Sequence, residues 1–181
     1  MRKLVLFMHV SLDGFVAGPN GEMDWIIADE AMFDLAASKT NEADTALYGR
    51  ITYEMMEGYW PTAADQPGAT KHDIEQYNSV KKVVMSRSMR GRDLKLTTII
   101  SDDLVQNINS IKQNKGKNII MFGSPGAAHS LMKHDLIDGY WLFFNPILLG
   151  KGIPLFDNID QITKLRLNSS DISFRRCLSP L

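Results

Sequence analysis

The chain has 181 residues, of which 44% are hydrophobic and 23% charged, and its formal net charge at pH 7 is −1. This length and composition are typical of one globular domain, residues 1–181, and the low net charge argues against nucleic acid as a partner. The single cysteine, Cys177, excludes an internal disulfide framework and a cysteine-rich zinc site.

No run of the sequence reaches the ~20 apolar residues that a membrane span requires, so we expect no membrane partner. The apolar start is interrupted at His9, and no small-residue cleavage site of a signal peptide follows it. We therefore expect a cytoplasmic protein.

Apolar runs alternate with amphipathic segments along most of the chain. The predicted strands are 3–10, 43–48, 82–85, 97–100, 118–122, 140–145 and 147–149, and residues 165–167 and 172–176 form a C-terminal hairpin. The predicted helices are 29–38, 52–57, 102–113 and 123–134, and residues 58–78 are a turn-rich excursion with one helical turn near 71–77. This alternation predicts an α/β fold with three αβα layers, a mostly parallel central sheet and an antiparallel C-terminal hairpin.

Two predicted helices begin at glycine-containing turns directly after a strand. Gly49 and Arg50 form one of these turns, and Gly123, Ser124 and Gly126 lie in the other. Unpaired N–H groups and the positive end of the helix dipole attract phosphate, and an arginine adds a charge-assisted contact. The pattern predicts a dinucleotide site, although a Gly-Ser-Pro-Gly turn by itself also has a purely structural interpretation.

A third candidate lies beyond the predicted strand 82–85. Ser86 and Arg87 follow this strand directly, and further basic residues stand on either side of it. Ligands of open α/β sheets bind at the carboxyl ends of the strands. One interpretation is a pocket for a terminal phosphate, and the other is a solvated basic loop.

Asp13 and Asp29 are the carboxylates nearest to these candidate sites. Asp29 begins a helix beside Trp25 and Phe33, where partial desolvation would let it hold a protonated heterocycle or relay a proton. The alternatives are a helix cap for Asp29 and turn chemistry for Asp13. Both carboxylates are therefore candidate catalytic residues, and the two aromatic residues are candidate substrate contacts.

The histidines do not form a recognisable metal site, and we predict no metal. His129 and His134 are five residues apart on one predicted helix, so they do not share a face. His9 lies inside the first strand, where we expect a core histidine with satisfied hydrogen bonds.

In their order along the chain, these segments resemble the dihydrofolate-reductase-like family, in particular the branch related to the C-terminal reductase domain of riboflavin biosynthesis. Residues 11–18 and 23–25 resemble its first strand and mobile active-site loop, and residues 49–54 resemble its cofactor-binding turn. Residues 122–124 resemble its glycine pair, and residues 146–156 resemble a signature of the riboflavin-type branch. The resemblance extends over nearly the whole chain.

The resemblance implies a homodimer in which NADPH lies across the strand carboxyl ends and a hydride passes to a flat nitrogen heterocycle. Ser86 and Arg87 would hold the ribose phosphate of the adenosine end, and Val16 with the loop up to Trp25 would cover the nicotinamide. Asp29 falls near the active-site carboxylate of the folate enzymes. The full implied set of cofactor contacts is Val16, Gly49, Arg50, Thr52, Ser86, Arg87, Gly123, Ser124 and Gly126.

The sequence departs from this pattern at three places. Ser124 stands in the glycine pair, where a Cβ hinders the approach of backbone to phosphate. Residues 55–80 contain no arginine to anchor a glutamate tail, so we expect dihydrofolate to be a poor substrate. The zinc deaminase motifs of the bifunctional riboflavin enzymes do not occur in the 181 residues.

The sequence therefore predicts an NADPH-dependent reductase of a pteridine-like or 5-amino-6-(5-phosphoribosylamino)uracil-like heterocycle. The alternative is a non-catalytic protein that binds a nucleotide or heterocycle on the same fold, which the substituted glycine pair favours. A purely structural dimer module is a third hypothesis. Binding of NADPH without turnover would support the second hypothesis, and no nucleotide binding would support the third.

Residues 140–144 and 147–149 are apolar without alternation, so both faces of this segment require cover. One face can pack on the helices of its own chain. We expect the other to meet its equivalent in a second copy, across a two-fold interface that Phe143→Asp would dissociate. The alternative cover is the C-terminal hairpin.

Overall fold

The computed structural model describes residues 1–27, 30–65, 70–159 and 162–170. Its strands are β1 (Leu4–Ser11), β2 (Phe15–Ala17), β3 (Ala43–Gly49), β4 (Lys81–Met85), β5 (Thr97–Ile100), β6 (Asn118–Phe122), β7 (Gly139–Asn145) and β8 (Ile153–Pro154). Its helices are α1 (Glu30–Thr40), α2 (Arg50–Tyr59), α3 (Lys71–Ser79), α4 (Leu104–Gln113) and α5 (Pro125–Met132), with a 3-10 helix at Trp60–Asp65.

Six strands form one sheet in the order β5-β4-β3-β6-β1-β7, and every neighbouring pair is parallel. The carboxyl ends of all six strands therefore lie at one edge of the sheet, which we call the carboxyl edge. Parallel strands require a crossover connection, usually a helix, and helices supply most of the crossovers here. This arrangement confirms the predicted mostly parallel sheet.

Helices cover both faces of the sheet. Leu6 and Met121 point to one face, where they pack with Ile108 of α4 and Leu131 of α5. The other face carries aromatic and aliphatic residues, and α1 and α2 pack against it through side chains that include Ala36, Tyr53 and Met56. The predicted three αβα layers are thus confirmed. Within the described ranges, no helix has the length and hydropathy that a bilayer crossing requires.

The excursion between α2 and β4 contains more helix than the predicted single turn. A 3-10 helix extends α2, and α3 has nine residues. The Thr70 side chain accepts a hydrogen bond from the Asp73 N–H, and the Asp73 carboxylate accepts one from the Thr70 N–H. This capping box starts a helix that the polar sequence does not reveal through its hydrophobic pattern.

Two strand predictions near the C-terminus are wrong. Residues 147–149 are not a strand, because their backbone groups bond to the turn at 12–13 instead of to a neighbouring strand. Residues 165–167 have no strand structure, and Leu165 and Leu167 are 63% and 81% exposed. Residues 172–176 lie outside the described residues. The antiparallel pairing of the described chain lies elsewhere, between β2 and β8.

The pairing of β2 with β8 requires glycine at position 152. A Cβ built on Gly152 would collide with the backbone carbonyl of Ala17. We therefore expect Gly152→Ala to lower the free energy of unfolding by about 1–3 kcal/mol, since the backbone must shift to accept the methyl group. Denaturant unfolding followed by circular dichroism measures this change.

Gly58→Ala is the matched control. Gly58 lies in α2, and a Cβ there has no neighbouring atom within 4 Å. Alanine favours helix over glycine, so this variant is expected to gain about 0.5–1 kcal/mol. Equal losses in both variants would show that the Ala17 contact does not control the stability of this region.

Candidate active site

The carboxyl ends of β3 and β6 are joined by one hydroxyl group. The Ser124 Oγ accepts a hydrogen bond from the Gly49 N–H at 3.0 Å and donates one to the Thr52 Oγ1 at 2.6 Å. A Cβ on Gly49 would lie 2.6 Å from the Ser124 Oγ, so this close approach requires glycine. The structure thus brings together Gly49, Thr52 and Ser124, three of the predicted cofactor contacts.

The turn from β6 into α5 has left-handed backbone at two successive residues, with φ of +53° at Gly123 and +58° at Ser124. Glycine adopts this conformation freely, whereas serine is strained in it. The strain at Ser124 accompanies the hydrogen bonds that its hydroxyl makes to β3 and α2. Gly126 follows in the first turn of α5, where a Cβ would meet open space.

Two helices begin side by side at this junction. α2 starts at Arg50 directly after β3, and α5 starts at Pro125 shortly after β6. The N-cap residues of the two helices, Gly49 and Ser124, make no side-chain cap hydrogen bond to the first turn. Unpaired N–H groups and two positive dipole ends make this place suited to a diphosphate.

The Arg50 side chain extends along α2. Its guanidinium pairs with the Glu54 carboxylate at 2.6 Å, and the two side chains are 42% and 45% exposed. An exposed i,i+4 pair of this kind is weak, so an anion at the helix start can compete for the guanidinium.

Ser86 and Arg87 lie beyond the carboxyl end of β4, where the sequence placed a phosphate pocket. The Ser86 Oγ accepts from the Met89 N–H at 3.3 Å and lies 3.2 Å from the Ser88 Oγ. Arg87 is exposed. Both residues therefore lie at the carboxyl edge, and their role as phosphate contacts stays a prediction.

The predicted basic cluster around Ser86 is dispersed in the structure. Lys82 lies at the amino end of β4, is buried, and donates to the Tyr77 carbonyl at 3.0 Å. Arg90 pairs with Asp102 at 2.6 Å. Charges that are close in sequence therefore point to different places, because a strand separates them. Arg87 remains a candidate phosphate contact.

Asp13 connects two loops at the carboxyl edge. Its carboxylate accepts hydrogen bonds from the Ser11 hydroxyl at 2.6 Å, the Leu149 N–H at 3.1 Å and the Gly150 N–H at 2.7 Å. The bond from Ser11 is the largest cause that holds the pKa of Asp13 below its usual 3.8; the two N–H groups act in the same direction, and partial desolvation opposes them. This geometry corresponds to the turn chemistry that the sequence left open for Asp13.

The other predicted contacts occupy different environments. The Val16 side chain is 4% exposed within the core, so its backbone is the part that can face a ligand. Trp25 is half-buried, and its Nε1–H donates to the Glu22 carbonyl at 3.0 Å. Asp29 lies outside the described residues. Phe33 lies in α1, and its side chain is not among those that the structure describes.

Asn145 is a polar residue of this edge that the sequence analysis missed. It is 5% exposed at the end of β7, and its Oδ1 accepts from the Ile27 N–H at 3.0 Å. Its Nδ2 donates to the carbonyl of Phe143 at 3.1 Å. Asn145 thereby fixes the segment before α1 against the sheet. An amide directly after an aromatic run and before Pro146 is the signal that could have revealed it.

His9 lies among aromatic rings on the face covered by α1 and α2. Its ring centroid is 5.3 Å from that of Phe143 and 6.0 Å from that of Phe7. Burial lowers the pKa of His9. Its Nδ1 is buried and has no hydrogen-bond partner in the described chain, so the expectation of a satisfied core histidine is wrong.

A cavity of about 480 Å³ lies at the opposite edge of the sheet, around Arg2 and the turn before β6. The Arg2 guanidinium is already bonded there to Asp44, to the Thr45 hydroxyl and to the Lys117 carbonyl. Because strands of a parallel sheet begin at this edge, the crossover helices start at the other one. The arrangement of donors therefore places the candidate site at the carboxyl edge rather than in this cavity.

The parallel six-stranded sheet with helices on both faces defines an α/β fold of the reductase type. The profile of the RibD C-terminal domain matches residues 2–174, and the chain belongs to this family. It is 34% identical to the uncharacterized protein YyaP of Bacillus subtilis (strain 168) over 166 residues, which are 92% of this chain and 86% of YyaP.

Two solved structures share the fold. The first is a diaminohydroxyphosphoribosylaminopyrimidine deaminase/5-amino-6-(5-phosphoribosylamino)uracil reductase of Thermotoga maritima, with a TM-score of 0.66 and 15% identity over 95% of this chain and 54% of that one. The second is dihydrofolate reductase of Enterococcus faecalis complexed with NADP(H), with a TM-score of 0.57 and 16% identity over 87% of this chain and 79% of that one. Both likenesses confirm the dihydrofolate-reductase-like fold.

The Asp13 contacts predict a pH-dependent loss of stability. We expect Asp13→Asn to be less stable than the wild type at neutral pH, because an amide cannot accept all three hydrogen bonds. A carboxylate with a lowered folded-state pKa contributes stability above its unfolded pKa and loses it as the pH falls through the folded value. The difference between the two proteins should therefore shrink as the pH falls below 3.8.

Denaturant midpoints between about pH 7 and pH 2 measure this difference. Asp93→Asn is the control, since Asp93 is exposed in a loop away from Asp13 and its replacement should change nothing. A stability difference between Asp13→Asn and the wild type that stays constant over the whole pH range would contradict a stabilising role of the ionised Asp13 carboxylate.

Proposed function

We propose that this protein is an NADPH-dependent reductase of a small nitrogen heterocycle. The observation that carries the proposal is the pair of helix starts without an N-cap side-chain bond at the carboxyl ends of β3 and β6, with glycine at position 49, where the Ser124 side chain lies against β3. Family membership and the reductases that share the fold support the same activity.

The residues at the carboxyl edge fit a dinucleotide. The first-turn N–H groups of α2 and α5, together with Arg50, would hold the diphosphate, and Ser86 and Arg87 would hold the phosphate of the adenosine end. The cofactor would supply the hydride. The chain itself would bind and orient the cofactor and the heterocycle and would exclude water from them. Asp13 would hold the loops that frame the site.

The substrate would lie on the aromatic face between α1 and the sheet. Phe7, Phe143 and Phe122 form a continuous row there, with Phe7 4.7 Å from Phe143 and 5.4 Å from Phe122 between ring centroids. Flat rings suit a flat pteridine-like or aminouracil-like substrate. Asp29 would hold or protonate the heterocycle, and Trp25 and Phe33 would flank it.

A second candidate function is binding of a nucleotide or heterocycle without turnover. One observation favours it: the Ser124 hydroxyl already accepts from the Gly49 N–H, so this donor is not free for phosphate.

Incubation of the protein with NADPH and a panel of pterins, aminouracils and dihydrofolate separates the two functions. Consumption of NADPH with any member supports the reductase, and tight NADPH binding without consumption supports the binding protein.

The position of Arg87 predicts cofactor choice. We expect NADPH to bind about ten- to a hundredfold more tightly than NADH, since one charge-assisted contact to the additional phosphate has this magnitude. Arg87→Ala should remove most of this preference while leaving NADH affinity unchanged. Titration followed by intrinsic tryptophan fluorescence measures both affinities.

Lys115→Ala serves as the control, because it removes one exposed positive charge at the opposite edge of the sheet. Its preference for NADPH should equal that of the wild type. Equal affinities of the wild type for the two cofactors would disprove the phosphate pocket.

The exposed side of β7 predicts a homodimer. β7 ends the described sheet, and Phe144 and the nearby Leu148 are 62% and 69% exposed. Phe143 instead packs within the aromatic face, so Phe143→Asp would damage the fold and is not the right probe of an interface. We expect Phe144→Asp to convert a dimer into a folded monomer, because a two-fold interface would bury one aspartate from each copy.

Light scattering at micromolar concentration measures the assembly. Leu167→Asp is the control, since Leu167 is 81% exposed in a segment without strand structure. A monomeric wild type, or a Phe144→Asp variant that remains dimeric, would disprove this interface.

A further inference from the structure

The face of the sheet under α1 and α2 becomes polar toward the carboxyl edge. Phe7, His9 and Ser11 alternate along β1 on this face, and they lie beside Trp141, Phe143 and Asn145 of β7 in register. Neighbouring pairs along β1 and β7 therefore change from two aromatic residues, to His9 with Phe143, and then to two polar residues at the carboxyl edge.

The polar side chains at the edge have partners within the chain. The Ser11 hydroxyl donates to Asp13 and accepts from the Phe15 N–H at 2.9 Å. The Asn145 amide bonds to backbone groups of β7 and of the segment before α1. Among the buried side-chain nitrogens and oxygens of the described residues, the His9 Nδ1 is the one without a partner.

An unpaired buried nitrogen is unfavourable, and buried polar groups in proteins are nearly always hydrogen-bonded. A phenylalanine at position 9 would continue the aromatic row of Phe7 and Phe143 without this cost. Packing therefore does not account for histidine here. A buried nitrogen without a partner among the described residues, on the face proposed to receive the substrate, is instead suited to a partner that arrives with a ligand.

The chemistry of the ring suits the edge of a heterocycle. Burial lowers the pKa of His9 and so favours the neutral imidazole, in which each nitrogen donates or accepts according to the tautomer. No partner in the described chain fixes the tautomer through Nδ1. Rotation about the Cβ–Cγ bond exchanges the positions of Nδ1 and Cδ2, so the ring can present this nitrogen on either of two sides.

We propose that His9 is a substrate-recognition residue, which forms a hydrogen bond to the edge of a flat nitrogen heterocycle stacked on the aromatic face beside Phe143. The inference rests on the proposed reductase function, since it places the heterocycle on this face. It assigns His9 to the heterocycle and not to the cofactor phosphates, which the carboxyl ends of β3, β4 and β6 would hold.

Two variants of His9 test the proposal, with 5,6-diaminouracil and pterin as probes. His9→Phe retains the aromatic packing and removes both nitrogens, and we expect it to bind the preferred probe about tenfold or more weakly than the wild type. His9→Asn can still form a hydrogen bond and should recover most of the affinity. NADPH affinity should be the same in all three proteins. Isothermal titration measures each affinity.

The stability of the ligand-free protein gives a second readout. Removal of an unpaired buried nitrogen should raise the melting temperature of His9→Phe by about 2–4 °C, whereas loss of a structural histidine would lower it. His134→Phe is the control for the same change at an exposed position.

The outcomes separate the inference from the proposed function. Equal probe affinity of wild type and His9→Phe, or a lower melting temperature of His9→Phe, would overturn the role of His9. A wild type that binds NADPH but neither probe would also overturn it and would leave the cofactor site standing. A wild type that binds neither NADPH nor the probes would refute the reductase itself.

Discussion

The parallel pairing of β3 with β6 is the constraint on which the candidate site depends. It brings two strand ends together that are far apart in sequence, so α2 and α5 must begin beside each other. Across this junction, the hydroxyl of Ser124 bonds to both Gly49 and Thr52. Two uncapped helix starts at one place concentrate backbone donors and positive dipole ends, which no single helix could achieve.

Polar contacts at both edges hold the sheet that carries this junction. At the amino edge, the buried Arg2 binds Asp44, and the buried Lys112 lies 2.6 Å from Asp138. Burial alone would raise the pKa of Asp44, but the Lys117 N–H, the Thr45 hydroxyl and Arg2 together lower it. At the carboxyl edge, Asp13 and Asn145 fix the surrounding loops by accepting backbone N–H groups. Ion pairs with a buried cation therefore stabilise the edge opposite the site, whereas one carboxylate and one amide hold the loops at the carboxyl edge.

The sheet could be predicted from sequence because its signal is local. The apolar run at 3–10 corresponds to β1, and Gly49 and Gly123 mark the strand ends that they were expected to mark. The contacts of Asn145 with Ile27 and of Asp13 with Leu149 join residues 118 and 136 positions apart, and no local pattern encodes them. The same reason explains the error at 147–149, whose apolar residues belong to a loop held by Asp13.

Ser124 shows how a departure from the family pattern is accommodated. A second glycine in the pair would leave the Gly49 N–H without this acceptor. The serine hydroxyl instead accepts from the Gly49 N–H and donates to the Thr52 hydroxyl. Its Cβ is directed toward β3 and α2, where it occupies the space that a side chain at position 49 would need. The serine makes the Gly49 N–H unavailable to a ligand and adopts an unfavourable left-handed backbone conformation. In return, its hydrogen bonds fix the spacing between the two helix starts. The remaining first-turn donors of α2 and α5 are then held in one orientation, which favours a bound anion by reducing the entropy lost on binding.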